Sequence, residues 1–209
     1  MNTDFQNLLD EAVRFHGHLC GGQVLGVRMA IAGLRELGIK DPRGQEGRDL
    51  VLFFEIDRCI ADAIISVTGR TPGKRSVRMM DYGKLAATFT ETRSGRAVRV
   101  SVKPDSTEKI KRLAQTYIPQ KEVQQPDLMA MITIAEEDLL NIQNVVVPMR
   151  PQDLPGEPLD MVVCQQCGET VKDMRHVILG GKLLCKPCAQ GKDYYTVLNY
   201  SPPEAALDG

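Results

Sequence analysis

Four cysteines in the last third of the chain fall as two Cys-x-x-Cys pairs, Cys164 with Cys167 and Cys185 with Cys188, separated by residues 168–184. Two residues between thiolates let a tight knuckle turn both sulfurs onto one ion, and two such knuckles supply the four soft ligands that zinc takes in structural sites. Gly168, directly after the first pair, suits the knuckle turn, and Gly180-Gly181 centres a hairpin that brings the pairs together. So short a segment has almost no apolar core, which disfavours four buried, unligated thiols and makes the metal the source of folding energy. The expectation is a structural Zn2+ on Cys164, Cys167, Cys185 and Cys188, with a redox role for either pair as the alternative.

A second group of ligand atoms lies near the start, in Phe15-His16-Gly17-His18-Leu19-Cys20-Gly21-Gly22. The bland reading of His16 and His18 is a pair of loop histidines bonded to solvent or backbone. Two of the chain's 3 histidines beside a cysteine in a glycine-rich loop favour a metal instead. Cys59 adds to this, because a helix N-terminus is expected there and its unpaired amides favour the thiolate. The expectation is a second metal, zinc by ligand type, on His16, His18 and Cys59, with the fourth position open as in catalytic zinc sites. Cys20 is then a nearby reactive thiol or the ligand that closes the site. Asp62, on the helical face of Cys59, orients a ligand or serves as acid or base. Against this stands a plain reading, Cys59 as a small core residue and Asp62 as a surface charge.

Arg70, Lys74, Arg75 and Arg78 follow Thr68-Gly69 in a loop with Pro72 and Gly73. They read as solvated loop charge or as a hold on an anionic substrate, and the glycine spacing does not satisfy the P-loop pattern. Lys84, in Asp81-Tyr82-Gly83-Lys84, is a weaker catalytic candidate.

These residues need elements to hold them. Phe5, Leu8, Leu9, Ala12 and Val13 share one helical face behind a capping signature, Thr3 to Gln6, and a second helix runs through Val24, Val27, Ile31 and Leu34 to Gly38. Gly26 and Gly33 permit close approach of a neighbour. Leu50 to Ile56 reads as a buried strand, Asp57 as the cap of a helix through Ile65, and 77–81, 85–92 and 97–102 as strands, the last two a hairpin about Ser94-Gly95. Segments 105–117 and 127–142 read as helices and 144–147 as a short strand. The fold class is therefore α+β, a mainly antiparallel sheet packed with helices, over residues 1–148. Pro148, Pro151, Pro155 and Pro158 mark a stiff linker at 149–160, and residues 161–209 form the small zinc-binding domain.

A chain of 209 residues, 43% hydrophobic, can bury one such core and carry an appendage. Its net charge of −1 gives no overall pull toward nucleic acid or anionic membrane. The tail from 151 onward holds more Asp and Glu than Lys and Arg, so it should repel phosphate backbones. Tyr194-Tyr195 and Val197-Leu198 suit contact with protein, a second copy of the chain included. No run approaches the roughly 18 apolar residues of a membrane span, and the first 22 residues lack the pattern of a signal peptide, so a soluble, cytoplasmic protein is expected.

The run Phe15 to Cys20, the segment Glu55-x-x-Arg58-Cys59-x-x-Asp62-Ala63-Ile64, the loop Thr68-Gly69-x-Thr71-x-Gly73 and Asp81-Tyr82-Gly83-Lys84 together resemble the FmdE family of formylmethanofuran dehydrogenase proteins. The resemblance spans about residues 10 to 103, and the four-cysteine tail also occurs in that family. It implies a homodimeric α+β metalloprotein tied to molybdenum- or tungsten-dependent one-carbon metabolism, associated with an oxidoreductase complex. Its His and Cys positions fall on His16, His18, Cys20 and Cys59, with Asp62, Lys84 and the 68–73 loop beside them. Gly21 stands where the family commonly has proline, and Arg70 where it often has cysteine, so a third thiol near the site is absent. The other function class left open is a non-catalytic interaction module that uses the zinc finger.

Overall fold

The computed structural model describes residues 3–157 and 159–198, and these form two compact units that divide between Gly156 and Glu157. Residues 199–209 of the expected tail domain lie outside the described residues. In the first unit, α1 (Thr3–His16) buries Leu9 and Ala12 and packs Phe5, Leu8 and Val13 against the core. The side chain of Thr3, expected as a cap, also lies outside the description, and Gln6 donates to Asp10 Oδ1 at 2.8 Å rather than reaching back. Helix α2 (Gly21–Leu37) ends on Gly38, whose φ of 75° lets its amide bond the last carbonyls.

The sheet is built from β1 (Leu50–Phe54), β2 (Val77–Met79), β3 (Ala86–Glu91), β4 (Ala97–Val102) and β5 (Leu140–Val145) in the order β2-β1-β3-β4-β5. Strands β1 and β2 run parallel, joined through α3 (Cys59–Thr68), and every other pairing is antiparallel. A mixed α+β unit with a mainly antiparallel sheet results. Several strands are trimmed or shifted by a few residues, the one expected at 144–147 becoming Leu140–Val145, and three boundaries differ more deeply from the sequence expectation. Gly21 and Gly22 open α2 instead of extending the loop, and α3 starts at Cys59 behind Arg58, not behind Asp57. The expected helix 127–142 is two short pieces, α5 (Pro126–Thr133) and α6 (Glu136–Leu139), parted where Ile134 and Ala135 take extended ψ values of 141° and 143°. Leu140 to Val145 then pairs along all of β4, from Val102↔Leu140 to Ala97↔Val145. Leu140-Asn141-Ile142-Gln143 alternates apolar and polar, and cross-strand pairing outweighs local helical preference there.

Leu50, Leu52, Phe54, Ala87, Phe89, Val98 and Val100 point to the helix-covered face of the sheet, where α2 lies on β3 and β4 and packs against α3. The opposite face carries a buried ion pair: Glu55, 7% exposed, takes a two-pronged bond from Arg99 Nε at 2.6 Å and Nη2 at 2.9 Å. α4 (Ser106–Gln115) packs against α5 at the β5 side. Among the described residues no helix is long and apolar enough to cross a membrane.

Close packing of α2 on α3 depends on Gly26, where an added Cβ would sit 2.6 Å from Ala63 Cβ and 2.7 Å from Ile60 O. Gly26→Ala gains about 1 kcal/mol of helix propensity, but overpacking against a backbone atom costs about 1–3 kcal/mol. The variant should lose a few degrees of Tm by calorimetry; an unchanged or raised Tm would show that the helix pair has room.

The basic loop after α3 disperses. Arg75 Nη2 donates to Gln152 O and Arg78 Nη2 to Asp153 O, each at 2.6 Å, so the proline-bearing segment up to Gly156 is fastened to the first unit. In the second unit β6 (Met161–Val163) pairs with β7 (Thr170–Lys172), β8 (Val177–Leu179) pairs with β9 (Lys182–Leu184), and α7 (Lys186–Gln190) follows.

Candidate metal centre

Three helix ends meet at the first site. His16 is the last residue of α1, Gly17 at φ 101° turns the chain, Cys20 is the N-cap of α2, and Cys59 is the first residue of α3. Ligand atoms of His16, Cys20 and Cys59 lie within 4.8 Å of one another. Gly22 makes this possible, because a Cβ there would stand 2.6 Å from Cys59 Cβ. Asp62, one turn along α3, places Oδ2 2.8 Å from His16 Nδ1. The carboxylate accepts the Nδ1 proton, which fixes the tautomer and leaves Nε2, buried and without a hydrogen-bond partner, as the free lone pair. Gln23 is fully buried and donates to the Cys59 carbonyl at 2.8 Å, steadying the first turn of α3. An amide between apolar neighbours carried no signal in the sequence.

The grouping differs from the expected His16, His18 and Cys59. Cys20 joins the cluster because the N-cap position turns it toward α3, while the His18 ring lies against that of His16, centroids 4.7 Å apart and tilted by 41°, outside the cluster. The expected thiolate at Cys59 is also reversed without a cation. Burial and a hydrogen bond with Cys20 push the Cys59 thiol up, against the pull of the helix amides. Lys84 places its Nζ 5.8 Å from the Tyr82 ring centroid. Arg70 turns to the carbonyl of Gly47 at 2.9 Å.

In the second unit the sulfurs of Cys164, Cys167, Cys185 and Cys188 all lie within 4.8 Å of one another. A tetrahedral ion about 2.3 Å from each sulfur requires S···S edges of about 3.8 Å, and Cys167 and Cys185 stand 3.8 Å apart. Gly168 at φ 78° closes the first knuckle, and Gly180 and Gly181 at φ 58° and 77° form the hairpin turn. The Cys185 amide donates to Cys164 Sγ at 3.2 Å and the Cys188 amide to Cys185 Sγ at 3.5 Å. Amides of Cys167 and Cys185 lower the Cys164 thiol to about 6, whereas a hydrogen bond with Cys185 and loss of solvation push Cys188 up to about 12. Four thiolates so close together require a cation, and the set fits a structural zinc.

An α+β unit with a soft-ligand cluster at its helix ends, followed by a four-cysteine finger, defines a two-part metal-binding protein. Comparison with known proteins narrows this. The chain belongs to the FmdE family, described as of the molybdenum formylmethanofuran dehydrogenase operon, whose model matches residues 15–147. The prokaryotic dksA/traR C4-type zinc finger matches residues 162–194. A probable S-adenosyl-L-methionine-binding protein of Archaeoglobus fulgidus is 29% identical over 204 residues, covering 91% of this chain and 54% of that protein. The chain thus spans about half the length of that relative. A tungsten formylmethanofuran dehydrogenase FmdE-like protein of Syntrophus aciditrophicus superimposes with a TM-score of 0.58 at 22% identity, over 91% of this chain and 95% of that one. At that identity the likeness speaks for the fold alone.

Proposed function

We propose that His16, Cys20 and Cys59 hold a second metal, zinc by ligand chemistry, with a fourth position open, and that the first unit works as a metalloenzyme or as the metal-bearing component of one. The observation that carries this reading is the convergence of one imidazole and two thiol groups within 4.8 Å, with His16 oriented from behind by Asp62. Cys20 passes from a catalytic thiol to a ligand, and Asp62 from acid or base to the group that orients His16. All three cluster residues are partly exposed, although the His16 Nε2 that faces the others is itself buried. Zinc with three protein ligands supplies Lewis-acid polarisation of a bound oxygen. Membership of the FmdE family supports a place in one-carbon metabolism beside a molybdenum or tungsten oxidoreductase, in a homodimer or a larger complex.

Elemental analysis of protein purified without chelators tests the site. Two metal equivalents are expected per chain, and one in Cys59→Ser, Cys20→Ser and His16→Ala, with His18→Ala unchanged. A single equivalent throughout would remove the second site.

A second reading, a non-catalytic interaction module, draws on the finger. Ile178, Leu179 and Tyr194 are 69%, 54% and 96% exposed, a surface suited to protein contact. The excess of carboxylates in the tail, deepened by four thiolates on one Zn2+, argues against nucleic acid as its partner.

A further inference from the structure

Burial of charge in the first unit singles out one arginine. Glu55 is buried but faces Arg99. Arg70, only 8% exposed, has no carboxylate within ion-pair distance among the described residues. Its Nη1 donates to Gly47 O at 2.9 Å, and its Nε is buried without a partner. A guanidinium withdrawn from water without a counter-charge is costly, and an anion is the group that relieves it.

The loop opposite Arg70 is shaped for one. Two of its acids are engaged by the loop's own amides: Glu46 Oε2 accepts the amides of Lys40 at 2.6 Å and Asp41 at 2.9 Å, and Asp41 Oδ1 accepts that of Gly44 at 3.0 Å. The loop is also folded tightly on itself, since a Cβ on Gly44 would sit 1.9 Å from Asp41 Oδ2, and one on Gly47 1.8 Å from Pro42 O. Arg48, exposed and without a side-chain partner among the described residues, borders with Arg70, Arg43 and Gln45 a cavity of about 380 Å³. Arg43 is already neutralised by Glu11 and bonded to the carbonyls of Val67 and Ser66, so it forms wall, not receptor. It also borders a second cavity of about 550 Å³, lined on its apolar side by Leu8, Ile31, Leu34, Ile39 and Val67. Both volumes fall within the range of about 300–1,000 Å³ usual for small-molecule sites.

We propose that Arg48 and Arg70 bind the oxyanion head, carboxylate or phosphate, of a small organic anion whose apolar body occupies the cavity beyond Arg43. The guanidinium fork matches both head groups. None of these residues belongs to the metal cluster, so the site stands or falls independently of it.

Calorimetric titration of the full chain at low salt, with hexyl phosphate, hexanoate and inorganic phosphate as probes, tests the proposal. At least one hexyl anion should bind, at least tenfold more tightly than inorganic phosphate, because only it buries methylene groups. The stronger of the two hexyl probes identifies the head group. Arg48→Ala, at an exposed position, should leave the fold intact and weaken binding by roughly tenfold or more, the worth of a charge-assisted bond. Arg70→Lys, which keeps the charge and loses the fork, should weaken it as well. Failure of both hexyl anions to bind at millimolar concentration, or binding that Arg48→Ala does not change, would overturn the site. Equal affinity for hexyl and inorganic phosphate would overturn the apolar body.

Discussion

Cys185→Ser, or zinc removal by a strong chelator, is expected to unfold the second unit while the first stays intact. Of the described residues after Gly156, only Cys164, Asp173 and Leu184 are buried, so there is little apolar burial to hold two short hairpins and a five-residue helix. Structural zinc in modules of this size contributes apparent binding energies on the order of 10 kcal/mol, far above what such a core supplies. The pH dependence follows from proton competition. Neighbouring amides favour the Cys164 thiolate while a hydrogen bond to Cys185 favours the protonated Cys188, so full ligation displaces protons. Zinc should stay bound at neutral pH and be lost as the pH falls, since protons then compete for every sulfur. Limited proteolysis of residues 160–195, followed together with zinc content across pH, checks this. A Cys185→Ser variant with full zinc and unchanged protease resistance would contradict it.

The second large effect is expected at the buried ion pair. Arg99→Met should cost about 3 kcal/mol at neutral pH, the low end for breaking a buried pair, because the Arg99 side chain is 24% exposed. The guanidinium of Arg99 holds the Glu55 carboxyl below its ordinary value. A depressed carboxylate contributes stability that is present above its unfolded pKa and lost as the pH falls through the folded one. The gap between wild type and variant in urea unfolding should therefore be wide at pH 7 and narrow once the pH falls below the ordinary glutamate range, and Glu55→Gln should recover part of the loss in the Arg99→Met background. A gap of the same size at both pH values would mean that packing, not charge, is what Arg99 supplies.

The finger was legible because its chemistry is local: two Cys-x-x-Cys knuckles and the Gly180-Gly181 turn carry their geometry within a few residues. At the first site the sequence reading took His18 as the ligand and Cys20 as a nearby thiol or closing ligand, whereas it is Cys20 that groups with His16 and Cys59. That choice is made by the φ of 101° at Gly17 and by the helix start at Gly21, which turn alternate residues of one short run to different sides. Gln23 gave no sign of its contact with the Cys59 carbonyl, since that depends on what lies opposite in space. Leu140 to Val145 misled for the same reason: its partner is β4, about 40 residues earlier, and the gain from pairing is invisible in a local window. The basic loop was legible as charge but not as destination, because Arg75 and Arg78 spend theirs on backbone carbonyls of 152 and 153.

The two margins of the sheet are unequal. β2 offers three residues to a newcomer, and Arg78 within it is tied to Asp153 O. β5 offers six, with Asn141, Gln143 and Asn144 among them and Pro148 soon after. An unpaired margin is a template for a further strand, and a very short one holds too few rungs to keep it. Growth of the sheet by backbone pairing, whether as productive assembly or as the first step of aggregation, is therefore one-sided. Of the two margins, only β5 has the length to template a further strand, and its polar side chains would line that edge.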